Sequence, residues 1–162
     1  MKKLFILICL SSLLALWGCN SEKSLKNTSL NSITINNIKI YDNIDDVDLS
    51  GYVKSNRFSR GNAKYYFENL VMDINKKNQV NYLFGFYSEN TVIINGKFNL
   101  KYISDITELL KNNYKEAWED REQQLKYHSY YDKNQKIIFK VVYSIVTKEI
   151  VWVEMKSIDY VD

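Results

Sequence analysis

The chain has no proline, five glycines, two cysteines and a single histidine among 162 residues. Without proline, and with few glycines, tight turns fall to Asn, Asp, Lys and the occasional Gly. One histidine with no nucleophile beside it makes no catalytic triad. Cys9 and Cys19 both lie near the N-terminus, which excludes a disulfide framework or a Cys-based metal site for the body of the chain. No phosphate-binding glycine loop, metal-ligand spacing or nucleophile elbow occurs. No catalytic residue, cofactor or metal is therefore expected, and the chain is not read as an enzyme. The formal charge is only +3, and Lys2 and Lys3 supply two of the 22 basic residues. No concentrated basic face remains to take nucleic acid. What is present is a 46% apolar composition with thirteen tyrosines. That suits a strand-rich domain with a packed core.

The N-terminus has its own grammar. Met1-Lys2-Lys3 is a short basic start, and Leu4 to Trp17 is an apolar run of signal-peptide length, too short to span a bilayer. It ends in Leu16-Trp17-Gly18-Cys19, which resembles the lipobox of bacterial lipoproteins. The resemblance implies that the Cys19 thiol is acylated with lipid and that cleavage falls between Gly18 and Cys19, small Gly18 suiting a narrow protease subsite. Trp17 is the one bulky departure from the pattern. Residues 1–18 are thus read as a signal peptide and 19–32 as a lipidated flexible tether, polar and rich in Asn and Ser. More than one acyl chain on Cys19 would anchor the domain on the extracytoplasmic face of the cell membrane.

Beyond the tether two segments answer each other. "IDDVDLSGY" (44–52) and "ISDITELLKNNY" (103–114) both open Ile-x-Asp and close on Tyr, and each reads as a short helix. Asn43 and Ser104 are candidate N-caps, with acidic residues in the first turn. Downstream, residues 65–86 and 126–143 each place a polar Asn/Lys turn between runs rich in Tyr, Phe, Val and Ile, a hairpin signature. "TVIIN" (91–95) and "EIVWVEMK" (149–156) read as a third strand in each copy. "SITINNIKI" (32–40) is a lead-in strand, and "TVIIN" also leads into the second copy. "KEAWEDREQQL" (115–125) is rich in helix formers and reads as a second short helix, with Trp118 and Leu125 on one face. The expectation is an α+β fold: an antiparallel sheet with short helices on one face, from two tandem helix-plus-three-strand units at 33–96 and 97–162.

This order behind a lipobox is similar to the fold of the β-lactamase inhibitor protein and of small outer-membrane-assembly lipoproteins, and looks like small lipoproteins of low-GC Gram-positive bacteria. Ile38 to Ile40, Ile44 to Leu49, Tyr65 to Phe67, Tyr82 to Gly85, Ile103 to Leu110 and Trp118 to Gln123 carry the likeness. The assembly lipoproteins carry a Gly-x-Pro turn after the first helix, where this chain has Gly51-Tyr52 and Asn113-Tyr114. The resemblance implies a protein-binding module, inhibitor-like or immunity-like, with a structural or assembly role in the envelope as the alternative. Possible binding residues are Arg57, Phe58 and Arg60 in one basic loop, with Trp118 and Trp152. That loop could equally be an ordinary solvated one, or meet anionic headgroups. Apolar residues on both faces of the last two strands mean either cover on both sides or one binding face. His128 reads as a strand residue on a half-exposed face. Glu119, Asp120 and Glu122 read as a salt-bridged helix face, and Asp42, Asp45, Asp46 and Asp48 as first-turn acids of a helix.

Overall fold

The computed structural model describes residues 27–55, 64–88 and 91–160. Cys19, Gly18, Arg57, Phe58 and Arg60 lie outside them. Among the described residues nine strands are formed: β1 (Ile33–Ile35), β2 (Tyr65–Tyr66), β3 (Leu70–Ile74), β4 (Val80–Phe86), β5 (Val92–Ile94), β6 (Tyr114–Asp120), β7 (Leu125–Asp132), β8 (Ile137–Ser144) and β9 (Ile150–Ser157). One α-helix, α1 (Ile103–Leu110), separates β5 from β6. Seven strands make an antiparallel sheet in the order β2-β3-β4-β9-β8-β7-β6, and β1 pairs with β5 in a separate two-stranded ladder.

Turn chemistry follows directly from the missing proline. At the four hairpin turns β3–β4, β6–β7, β7–β8 and β8–β9 a polar side chain on the opening residue accepts from the turn backbone. Asn75 Oδ1 takes the amides of Lys77 (2.8 Å) and Gln79 (3.1 Å), and Asp132 Oδ1 takes those of Asn134 and Gln135 (both 3.0 Å). Asp120 does the same for Glu122 and Gln123, and Ser144 for Val146 and Thr147. A left-handed residue then closes each turn: Asn78, Lys136, Gln124 and Lys148. The β1 and β5 ends use two-residue loops instead. Asn36-Asn37 and Asn95-Gly96 have positive φ at both positions, as a type I′ hairpin requires.

One row of cross-strand neighbours crosses the sheet: Met72, Leu83, Met155, Phe139, Tyr130 and Tyr114. All but Tyr114 are buried. The β1–β5 ladder (Ile33, Ile35, Val92, Ile94) and α1 (Ile103, Ile106, Leu110) join this row in one core. At about 25 cal/mol per Å² of apolar area, this layer is the main source of stability. Gly85 lies where the ladder comes closest: a Cβ there would sit 3.1 Å from Thr91 Cγ2 and 3.2 Å from Ile35 Cγ2.

Several elements differ from the sequence reading. The expected helix over 44–52 is a single 3-10 turn at Ile44–Asp46, with Asn43 Oδ1 accepting the Asp45 amide. The expected second helix over 115–125 is strand β6 and its turn. Alternation in Tyr-Lys-Glu-Ala-Trp and six residue pairs with β7 override the helix propensity of single residues. The sheet is thus covered by one helix and a strand ladder, rather than by short helices alone. Tyr102, not Ser104, caps α1, its amide bonded to Asp105 Oδ2 at 2.8 Å. Over residues 27–32 the polar stretch read as tether is part of the folded body. Thr28 N–H donates to Tyr131 O (2.9 Å), Leu30 N–H to Asp132 Oδ2 (2.9 Å), and Leu30 is buried.

The same local contacts occur twice. Ile35 and Ile38 bond reciprocally across their turn, as do Ile94 and Lys97. Ile44 N–H donates to Asn78 O (2.9 Å) and Ile103 N–H to Lys148 O (3.0 Å). Val80 N–H donates to Asp42 O (2.8 Å) and Ile150 N–H to Lys101 O (2.9 Å). Asn43 bridges Gln79 and Tyr102 bridges Glu149. Bulges fall between Asp73 and Ile74 on β3 and between Val142 and Tyr143 on β8, with a third between Trp118 and Asp120 on β6. These contacts align β1 with β5 and the β3–β4 hairpin with β8–β9. The sequence reading had matched β3–β4 to β7–β8, and "TVIIN" to β9.

Candidate functional site

The sheet face away from α1 and the ladder carries the second row: Phe86, Trp152, Val142, Tyr127 and Ala117 are cross-strand neighbours in turn. Next to it run Phe84, Glu154, Lys140, Ser129 and Lys115. Val71, Tyr82 and Phe84 form a small cluster of their own here, with Trp152 and Tyr160 packed on it, and Tyr160 stacks on Tyr82 at 4.7 Å. No described helix or ladder lies over Trp152, Tyr127 and Lys140. Lys140 Nζ sits 4.5 Å from the Tyr127 ring and 4.8 Å from the Trp152 ring, and is held by Glu119 at 2.6 Å. An ammonium between two aromatic faces and a carboxylate has its apolar stem flattened on the sheet and its charge already answered. The result is a flat, semi-polar, aromatic surface of the composition found at protein interfaces. Glu119 therefore serves this sheet face rather than a helix face, while Asp120 builds the β6–β7 turn and Glu122 is one of its amides.

A second cluster lies on the opposite face, at the β6 end. Glu116 Oε2 accepts from the Tyr143 hydroxyl (2.9 Å) and lies 3.1 Å from His128 Nε2, while Glu116 Oε1 pairs with Lys126. Tyr114 stacks on the His128 ring with centroids 3.6 Å apart. His128 is on strand β7 as expected, but it is buried rather than half-exposed. Its Nδ1 is buried with no hydrogen-bond partner. The neutral ring with its proton on Nε2 fits this site, because a second proton would leave Nδ1–H without an acceptor. The Lys126 ammonium, with Tyr143 and His128, holds the Glu116 carboxyl down to about 2 against the opposing effect of burial. Burial pulls His128 below its ordinary value against the pull of Glu116. Burial, then the Glu116 carboxylate, pushes the Tyr143 hydroxyl up. The cluster is a charge-compensated plug at the end of the core, solvated on its Glu116 side, and sequence reasoning missed Glu116 altogether. Its only signal was the alternation of Tyr114, Glu116 and Trp118.

Of the residues singled out from sequence, Trp118 and Trp152 are described, and they lie on opposite faces. Ala117, next to Trp118, belongs to the Trp152 row. Trp118 is exposed beside Arg121 (5.7 Å) and Lys126 (5.3 Å). Asp42, Asp46 and Asp48 line an open hollow of about 620 Å³ with Asn36 and Tyr52. Asp42 and Asp48 spend an oxygen each on the amides of Lys39 and Ser50. Among the described residues no group of three or more His, Cys, Asp or Glu could hold a metal ion, and no helix is long and apolar enough to cross a membrane. Comparison with family models, curated proteins and solved structures finds no match to this chain.

Proposed function

We propose that the protein is a bacterial lipoprotein, held on the extracytoplasmic face of the membrane through lipid on Cys19, and that its folded domain binds a protein. The anchoring half of the reading rests on Leu16-Trp17-Gly18-Cys19 after an apolar run of signal length. The binding half rests on the Trp152–Lys140–Tyr127 surface, which is aromatic, charge-compensated and has no described element over it. The duplicated contacts support a tandem origin. In that reading the first unit runs from β1 to β4 and the second from β5 to β9, so the boundary falls just before Thr91 instead of at 96/97. Each unit is then a strand, a helical turn and a strand set.

Two measurements test this. Cys19→Ser abolishes metabolic labelling with a fatty acid and leaves an uncleaved precursor; continued labelling defeats the anchoring reading. A photo-crosslinking amino acid at Tyr127 in intact cells yields a discrete protein adduct, while the same group at Val146, in the exposed β8–β9 turn, does not. Equal adducts at both positions, or none at Tyr127, defeat the binding reading.

A further inference from the structure

We propose that strand β6 pairs with β6 of a second copy of this chain, antiparallel about Ala117. β6 ends one side of the seven-stranded sheet, while the opposite end is a two-residue strand already bridged on its outer side by Lys54 and Phe67. The outward groups of β6 follow from its neighbour. The Tyr131 carbonyl accepts from Thr28, away from β8, so the main chain of alternate β7 residues Ser129 and Tyr127 also faces β6. Their partners Lys115 and Ala117 therefore spend their main-chain groups on β7. Glu116 and Trp118 direct theirs outward, and no described residue bonds to them.

Antiparallel pairing about Ala117 makes the edge self-complementary. Lys115 of one copy falls close to Glu119 of the other, twice; Glu119 is the bulged residue of β6, and its ion pair with Lys140 keeps it on the face that carries Lys140. Lys115 is exposed and has no ion-pair partner among the described residues, while Glu119 holds one lysine and has oxygen lone pairs for another. On the other face Glu116 falls opposite Trp118, bringing the Lys126 ammonium that Glu116 holds toward the exposed indole. Ala117 at the axis is small enough for the two backbones to meet. Any other central residue breaks this: pairing about Glu116 sets Lys115 against Ala117, and pairing about Trp118 sets Ala117 against Glu119. Charge along an edge strand ordinarily repels unwanted pairing. Here the charges instead select one register. The inference stands on β6 alone and goes beyond the binding surface on the sheet face.

The test uses the full-length chain in membranes and in detergent. Ala117→Cys, on the axis, sits about 4.5 Å Cβ to Cβ from its copy, within disulfide reach. Mild oxidation should give a disulfide-linked dimer that the unsubstituted chain does not give. Lys115→Cys alone and Glu119→Cys alone should not, since each lies about 14 Å from its own copy. The two mixed together should cross-link. Lys115→Glu should weaken dimerisation about tenfold in sedimentation of the detergent-solubilised chain, and adding Glu119→Lys should restore it. Three results would overturn the pairing: a monomer across roughly a hundredfold in concentration, equal cross-linking at on-axis and off-axis positions, or cross-links of Ala117→Cys only to a different protein.

Discussion

Glu116 carries more interactions than any neighbour of similar exposure: a lysine, a tyrosine hydroxyl and a histidine ring meet on its two oxygens. Replacing it by Gln keeps the shape but removes the charge that orders the other three. Glu116→Gln should cost roughly 1 kcal/mol in urea unfolding at pH 7, the low end for charged hydrogen bonds because the site is partly solvated. The pH dependence has a definite sign. Both Glu116 and His128 have folded-state values below their ordinary ones. The unfolded chain therefore takes up protons first as pH falls, and stability is lost on acidification. His128 begins to act below about 6.5 and Glu116 below about 4.3. His128→Gln should flatten the stability profile between pH 7 and 5 while leaving the more acidic limb; an unchanged profile there would contradict a neutral, sealed ring. None of this was legible from sequence. A lone histidine in an aromatic strand says nothing about which carboxylate will meet it, because the partners come from β6, β7 and β8 at once.

Elements were legible where local pattern and tertiary demand agreed. The β3–β4 and β7–β8 hairpins announce themselves through alternating Leu70, Met72, Ile74 and Tyr82, Phe84, Phe86 around polar turns, and α1 through Ile103, Ile106 and Leu110. β6 was hidden because Lys, Glu, Ala, Arg and Gln favour helix, and only pairing along β7 decides otherwise. The contacts that recur pair these segments differently from the letters. Letter identity between the Asn-Lys-Lys-Asn and Lys-Asn-Gln-Lys turns pointed to β7–β8, whereas bulge and turn contacts point to β8–β9. The reason is physical: Asn75 and Ser144 do the same work with different letters. Asp132 is a heavily used turn residue and a buried one, bonding Asn134 and Gln135 with one oxygen and the Leu30 amide with the other. Asp132→Ala should cost about 2–4 kcal/mol, since it strands three amides, one of them buried. Asp132→Asn, which keeps one acceptor oxygen, should recover part of that in the same unfolding experiment.

On the scale of the molecule, two ladders join the halves: β1 with β5 over the core, and β4 with β9 in the middle of the large sheet. Neither half owns its core. A chain comprising 91–162 alone would expose the β9 edge and the unpaired β5 strand, so it should be unfolded or aggregated by circular dichroism and light scattering. Mixing it with 27–90 should restore a folded complex. A stable monomeric half would show that the repeat units are independent. The coarse architecture, a largely antiparallel sheet, was legible because the strands are aromatic and evenly spaced. The ladder that replaces the second helix was not, because Ile33–Ile35 and Val92–Ile94 are too short to declare a partner.

The docking of residues 27–30 along the end of β7 sets a leash length. If lipid holds Cys19, the fully stretched chain from there to Asn27 reaches about 28 Å, and any bend shortens it. The domain would ride within one protein diameter of the headgroups, with the β7–β8 turn on the membrane side. Neighbours anchored in the same surface would then lie within its sideways reach.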